Sequence, residues 1–242
     1  MPIPDPAVIL ITGASSGIGA ALAKRLGRAG RTLHLQGRDR GRLDEVAHAV
    51  RELGGAAVTH AVDLADHDDL DRAARRLAEE IPRLDALIHS AGAMVIDAVV
   101  DARIEQMDRL YAINVRAPFA LTTALTPSLV AATGQVVFVN SGLGLQSRAG
   151  WSQYAVTKFG LRALADAYRS EIEDRGVRVM TVYPGRTATP MQAEVYRREG
   201  RTYAPDDCAT ADDVAGCIEH GLEIPRSAVV SELSVRQRAT PG

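Results

Sequence analysis

Seven short runs of apolar and β-branched residues recur along the chain, separated by Ala-, Leu- and Arg-rich stretches with helical spacing. The runs are AVILIT from Ala7, TLHLQ from Thr32, AAVTHAV from Ala56, ALIHS from Ala86, QVVFVN from Gln135, VRVMTVY from Val177 and AVVSEL from Ala228. Their length and composition predict strands. Segments such as ALAKRLGRAG after Ala20 and DLDRAARRLAEE from Asp69 predict helices. Strict alternation of the two implies right-handed crossovers and a parallel seven-stranded sheet flanked by helices on both faces, a doubly wound α/β arrangement. In such a sheet ligands bind beyond the carboxyl ends of the strands. Every residue singled out below falls there or on the helix that follows.

No linker, repeat or low-complexity stretch divides the 242 residues, so one domain over 1–242 is expected. A chain of this size buries roughly three quarters of its unfolded surface and needs no disulfide or metal. The 28 Lys and Arg nearly cancel the 30 Asp and Glu, and the arginines form no stripe, which argues against nucleic acid. Cys208 and Cys217 lack paired metal-ligand spacing and the six histidines do not cluster, so no metal is expected. The opening MPIPDPAVILITGA has no basic start or cleavage site and an apolar run too short for a bilayer, which points to a reduced, cytoplasmic protein without a membrane partner.

The first predicted strand runs straight into TGASSGIG, Thr12 to Gly19. Glycines at 13, 17 and 19 permit a tight turn and let backbone amides approach a pyrophosphate at the start of the next helix. Ser15 and Ser16 add hydroxyl donors. At the end of the second strand, where a carboxylate would hold the ribose hydroxyls of NAD, the chain reads Gln36, Gly37, Arg38, Asp39. Arg38 can grip a 2′-phosphate, so NADP(H) is expected over NAD(H), with Asp39 free to cap the helix that follows.

In VNSGLGLQSRAGWSQYAVTKFG, Ser141 follows the fifth strand, and Tyr154 and Lys158 lie four apart on one helix face. Carbonyl reduction needs a proton donor at oxygen as hydride reaches carbon. Alone, a tyrosine and a lysine at this spacing are commonly no more than a surface aromatic and a solvated charge. As a site, Tyr154 would be that acid, Lys158, with the positive charge of oxidised nicotinamide, would lower its pKa, and Ser141 would orient the substrate oxygen.

The glycine spacing, the thirteen positions from Ser141 to Tyr154 and the overall length resemble the short-chain dehydrogenases/reductases, and the resemblance runs from Val8 to about Leu233. It implies a single-domain Rossmann-type fold, with Gly13, Ser15, Ser16, Gly17, Ile18 and Gly19 at the cofactor phosphates. It also implies Asp63 and Leu64 at the adenine, although Asp63 could equally cap the helix opening near Asp66. Ala91 and Gly92 would lie against the cofactor, and Tyr154 and Lys158 would touch it as well. Pro184 and Gly185 match the family's turn at the nicotinamide, with Thr187 and Thr189 at the carboxamide unless Thr189 caps the next helix. Asn114 matches an asparagine that bends its helix and holds a proton-relaying water beside the active-site lysine. The usual asparagines before Ala91 are replaced by His89 and Ser90, and His89 reads as an interior histidine.

Residues about 186–210 are expected to form a substrate lid. Leu143, Leu145, Trp151, Met191 and Tyr196 suggest apolar walls suited to a small or medium-sized ketone, aldehyde or secondary alcohol. Two other functions fit the motifs: an acyl-thioester ketoreductase acting on a carrier-bound substrate, and a non-catalytic NADP-sensing regulator. No concentrated basic patch is legible near the lid, which ranks the carrier-bound substrate lower. By analogy with the family a homodimer or homotetramer is expected. The polar ending RQRATPG has no expected role.

Overall fold

A computed structural model describes residues 3–237; Met1, Pro2 and residues 238–242, which include most of RQRATPG, lie outside the described residues. One seven-stranded sheet has the order β3-β2-β1-β4-β5-β6-β9. Its strands are β1 (Ala7–Thr12), β2 (Arg31–Gly37), β3 (Ala56–Ala61), β4 (Ala86–His89), β5 (Gln135–Val139), β6 (Arg178–Pro184) and β9 (Glu232–Val235). Every neighbouring pair is parallel. Between them run α1 (Gly17–Leu26), α2 (Arg40–Glu52), α3 (His67–Glu80), α4 (Ile104–Tyr111), α5 (Ala117–Ala132), α6 (Ser152–Ile172), α7 (Pro190–Arg198) and α8 (Ala211–Glu223).

The strands are apolar throughout because both faces are covered. Ile9, Ile11, Leu33, Leu35, Val137 and Val182 point into a core shared with α1, α2 and α8. Their neighbours Leu10, Leu87, Val136, Phe138 and Val179 point into a second core with α3, α5 and α6. The period of two is intact; polarity does not reveal it, since neither face meets water. The two edge strands are the exceptions, with Ala56, Val58 and Ala61 of β3 and Glu232 and Ser234 of β9 exposed. The chain winds outward from β1 to β3, then crosses to β4 on the other side of β1. That reversal opens a crevice at the carboxyl ends of β1 and β4, where the glycine turn emerges.

The last strand is shorter and later than the sequence suggests. It begins at Glu232, paired with Thr181, and not at Ala228. Arg178 explains the delay: its guanidinium donates to the carbonyls of Ile224, Pro225 and Ala228, so this stretch is satisfied by a side chain and not by a ladder. A two-stranded sheet absent from the sequence reading joins β7 (Thr187–Ala188) to β8 (Ala209–Thr210). It pins together the two ends of a segment that carries α7.

Candidate active site

The glycine turn is shaped by close approach. Gly13 has φ +66° and Gly17 φ +55°, a region that side chains disfavour. A Cβ on Gly13 would lie 2.7 Å from the Ala91 nitrogen and Cα. The Thr12 hydroxyl holds that approach by accepting from the Ser90 and Ala91 amides at 3.2 and 3.1 Å. Ser16 precedes α1 in extended backbone and makes no side-chain cap, and the first turn carries no acid. Its amides are therefore left for an anion. Gly19 differs from the expectation: it is buried beneath the turn and does not line the cavity, because a Cβ there would lie 2.4 Å from the Gly13 carbonyl oxygen.

Arg38 is exposed at the end of β2, on the rim of a cavity of about 630 Å³. Asp39 caps α2 by accepting from the Arg42 amide. The cap of α3 is Asp66, not Asp63; Asp63 accepts from the Ala65 amide at 3.0 Å and lines the cavity with Leu64. Ser15, Ile18, Ala91, Gly92, Ser141, Tyr154, Lys158, Pro184, Gly185, Thr187 and Thr189 line it as well. Thr189 also caps α7, accepting from the Gln192 amide. His89 lies outside the cavity, stacked on Phe138 and bonded to the Thr122 hydroxyl at 2.9 Å. Burial pushes its pKa down to about 3, so it is a neutral interior group.

Asn114 is fully buried within a π-turn, Ala112–Arg116, that interrupts the helix between α4 and α5. Its Oδ1 accepts from the Ala93 amide, and its Nδ2 donates to the Ala93 carbonyl and the Thr157 hydroxyl, each at 2.9 Å. It thus joins the segment after β4 to α6 beside Lys158 and does not itself line the cavity. Lys158, 3% exposed, donates to the Val139 carbonyl at 3.1 Å and lies 5.6 Å from the Tyr154 ring centre. Asn140, which the sequence reading passed over, donates to the Lys158 carbonyl at 3.0 Å and accepts from the Ser141 amide at 2.9 Å. It fixes the serine and the lysine to one another. A buried amide directly before Ser141 in VNS was the available signal.

Burial governs the titration of both groups. It pushes Tyr154 up to about 12, with the Ser141 hydroxyl acting against that rise, and Lys158 down to about 8. In the protein alone, without the nicotinamide charge on which the expected lowering also rests, burial outweighs any pull of Lys158 on Tyr154. The ammonium is spent on a backbone carbonyl, while water is withdrawn from the phenolate.

Charge is the second correction. Arg38, Arg109, Arg148, Arg186, Arg236 and Lys158 line the cavity against one carboxylate, Asp63, among the described residues. Arg148 and Arg186, with Arg201, converge on Glu199 at the end of α7. The guanidiniums come from separate stretches of chain, so no patch shows in the sequence. Arg236, from the ending assigned no role, is one of them.

A doubly wound sheet with a phosphate-sized glycine turn and a buried Ser-Tyr-Lys cluster in one crevice defines a dinucleotide-dependent oxidoreductase. The family "short chain dehydrogenase" matches residues 7–200. An Escherichia coli oxidoreductase, YciK, is 35% identical over 197 residues, covering 79% of this chain and 78% of its own. A short-chain dehydrogenase from Sphingobium yanoikuyae, solved with NADPH, is 32% identical with TM-score 0.81, covering 93% of this chain and 87% of its own. One from Burkholderia cenocepacia, solved with NADP, is 28% identical with TM-score 0.81 and 96% coverage of both chains. The chain belongs to the short-chain dehydrogenase/reductase family and is an NAD(P)-dependent oxidoreductase. No helix among the described residues is long and apolar enough to cross a membrane.

Proposed function

We propose that the chain is an NADP(H)-dependent reductase that interconverts a small or medium-sized carbonyl compound and its alcohol. One observation carries this reading: a single cavity has Ser141, Tyr154 and Lys158 at one end and Arg38 at the rim, with the glycine turn between. The residues fit the cofactor. Gly13, Ser15, Ser16, Gly17 and Ile18 would hold its pyrophosphate on the free amides of α1, Arg38 its 2′-phosphate, and Asp63 and Leu64 its adenine. Ala91 and Gly92 would back the ribose; Tyr154 and Lys158 would hold the second ribose, and Pro184, Gly185, Thr187 and Thr189 the carboxamide.

When bound, NADPH supplies a hydride to the carbonyl carbon. Ser141 orients the carbonyl oxygen, and the Tyr154 hydroxyl gives that oxygen its proton as the C=O double bond becomes C–OH. With its pKa up at about 12, Tyr154 is protonated at neutral pH and ready as a donor. Lys158 would hold the cofactor's ribose beside Tyr154; Asn140 anchors the Lys158 backbone, and Asn114 anchors its neighbour Thr157. Residues 186–210, closed at their base by β7 and β8, form the lid over the substrate.

The relatives solved with NADPH and NADP support the cofactor choice. Titration with NADPH and NADH, followed by turnover on a carbonyl panel, tests it. NADPH is expected to bind more tightly, and Arg38→Asp to invert that order by replacing attraction with repulsion. Unchanged preference in the variant sinks the assignment of Arg38. Binding without turnover of any carbonyl would favour a sensor, and turnover of carrier-bound thioesters alone a carrier-linked ketoreductase.

A further inference from the structure

The arginines at the lid end of the cavity exceed what the fold needs. Glu199 is a single carboxylate, met by Arg186 at 2.8 Å, Arg148 at 3.3 Å and Arg201 at 3.5 Å. A clasp between lid and cavity wall requires one cation, and the other two leave an excess of positive charge. Burial pushes the Glu199 carboxyl up, but the three guanidiniums outweigh it and hold it below the usual range. Arg186 touches both carboxylate oxygens with Nη2 alone, and its Nη1 is buried without a partner. A buried donor without an acceptor is costly, and an added acceptor would relieve that cost.

Of the three guanidiniums on Glu199, the two that line the cavity are held by aromatic rings. Arg186 lies 4.9 Å over Tyr196, and Arg148, 52% exposed, lies 4.8 Å over Trp151. Trp151 in turn packs edge-on against Tyr154, ring centres 5.8 Å apart. Arg148 is therefore no farther from the Tyr154 ring than those two spacings end to end, within the length of a modest carbon chain.

Resting on the reading that Tyr154 reduces a carbonyl, we propose that the natural substrate also carries a carboxylate, which docks on Arg186 and Arg148 while its carbonyl lies at Tyr154. Planar guanidiniums suit a carboxylate, as Glu199 already demonstrates at this spot. The ring of Trp151 would lie along the apolar chain between the two ends. The substrate class is thus an oxo acid or the matching hydroxy acid.

The test is NADPH-driven reduction of linear, branched and aromatic oxo acids and of their methyl esters, matched carbon for carbon. The best acid is expected to exceed its ester at least tenfold in kcat/KM. In Arg148→Gln and Arg186→Gln the acid-to-ester ratio is expected to collapse toward one, mainly through KM. The ratio reads the carboxylate contact even where a variant disturbs the lid, and half-exposed Arg148 can be changed with little threat to folding. Esters reduced as well as acids, or a ratio unmoved in both variants, overturn the carboxylate proposal and leave carbonyl reduction standing. With NADPH bound, turnover of neither acids nor esters overturns the carboxylate proposal, and carbonyl reduction is then decided by the wider panel of ketones and aldehydes.

Discussion

Burial drives Tyr154 and Lys158 toward their neutral forms from opposite sides, up to about 12 and down to about 8. The phenol is thus a firmly protonated donor, and the lysine gives up its charge more readily than one in water. Tyr154→Phe removes the donor and one ribose contact, so turnover should fall about 10²–10⁴-fold while NADPH still binds through the rest of the cavity. Stopped-flow reduction beside a fluorescence titration checks this, and turnover near the wild-type rate would remove Tyr154 from the mechanism. At this scale the sequence shows Ser141, Tyr154 and Lys158, because their spacing is local. Asn140 and the cavity arginines other than Arg38 are not legible, because their meaning depends on which distant segments meet. The rise that burial imposes on Tyr154 in the protein alone is not legible either, because charge is visible in a sequence and the withdrawal of water is not.

Elements inherit the same division. The helix starts at Asp39 and Thr189 follow from capping chemistry, and the strands from their apolar runs. The π-turn at Asn114 and the late start of β9 come from side chains reaching across the fold, Asn114 to Ala93 and Arg178 to the carbonyls after α8. At the sheet edge, His34 on β2 and His60 on β3 stack and share a hydrogen bond of 2.9 Å. Arg76 bonds to His60 and Glu80 bears on His34 from α3. Burial first, then His34 and Arg76, pushes His60 from 6.5 down to about 4, and burial lowers His34 against the pull of Glu80. A folded pKa below the unfolded one favours the neutral ring, so this edge contributes its full stability above about pH 6.5 and loses it as pH falls toward 4. Melting temperatures should drop across that window, and less steeply in His60→Asn; parallel curves for the two proteins would contradict this origin.

At the scale of the molecule, several large apolar side chains among the described residues are left uncovered. Ile104 and Tyr111 on α4, Phe119 on α5, and Val156 and Phe159 on α6 are all exposed. Apolar side chains on neighbouring helices fit the homo-oligomer expected by analogy with the family. Sedimentation of the purified chain should give a dimer or tetramer, and Phe119→Glu with Val156→Glu should shift it toward monomer. A wild-type monomer at micromolar concentration would refute this. The two ends of the described chain sit very differently. Asp5 meets Arg31 at the amino end of β2, while Gly37, at the strand's other end, lines the cavity. The pairing of Val235 with Pro184 and Gly185 instead brings Arg236 to the cavity wall. A label attached at Arg236 or Gln237 would thus sit beside the cavity, and a kinetic assay on such a protein would measure the label as well as the enzyme; Asp5, at the opposite end of β2, is the place for a handle.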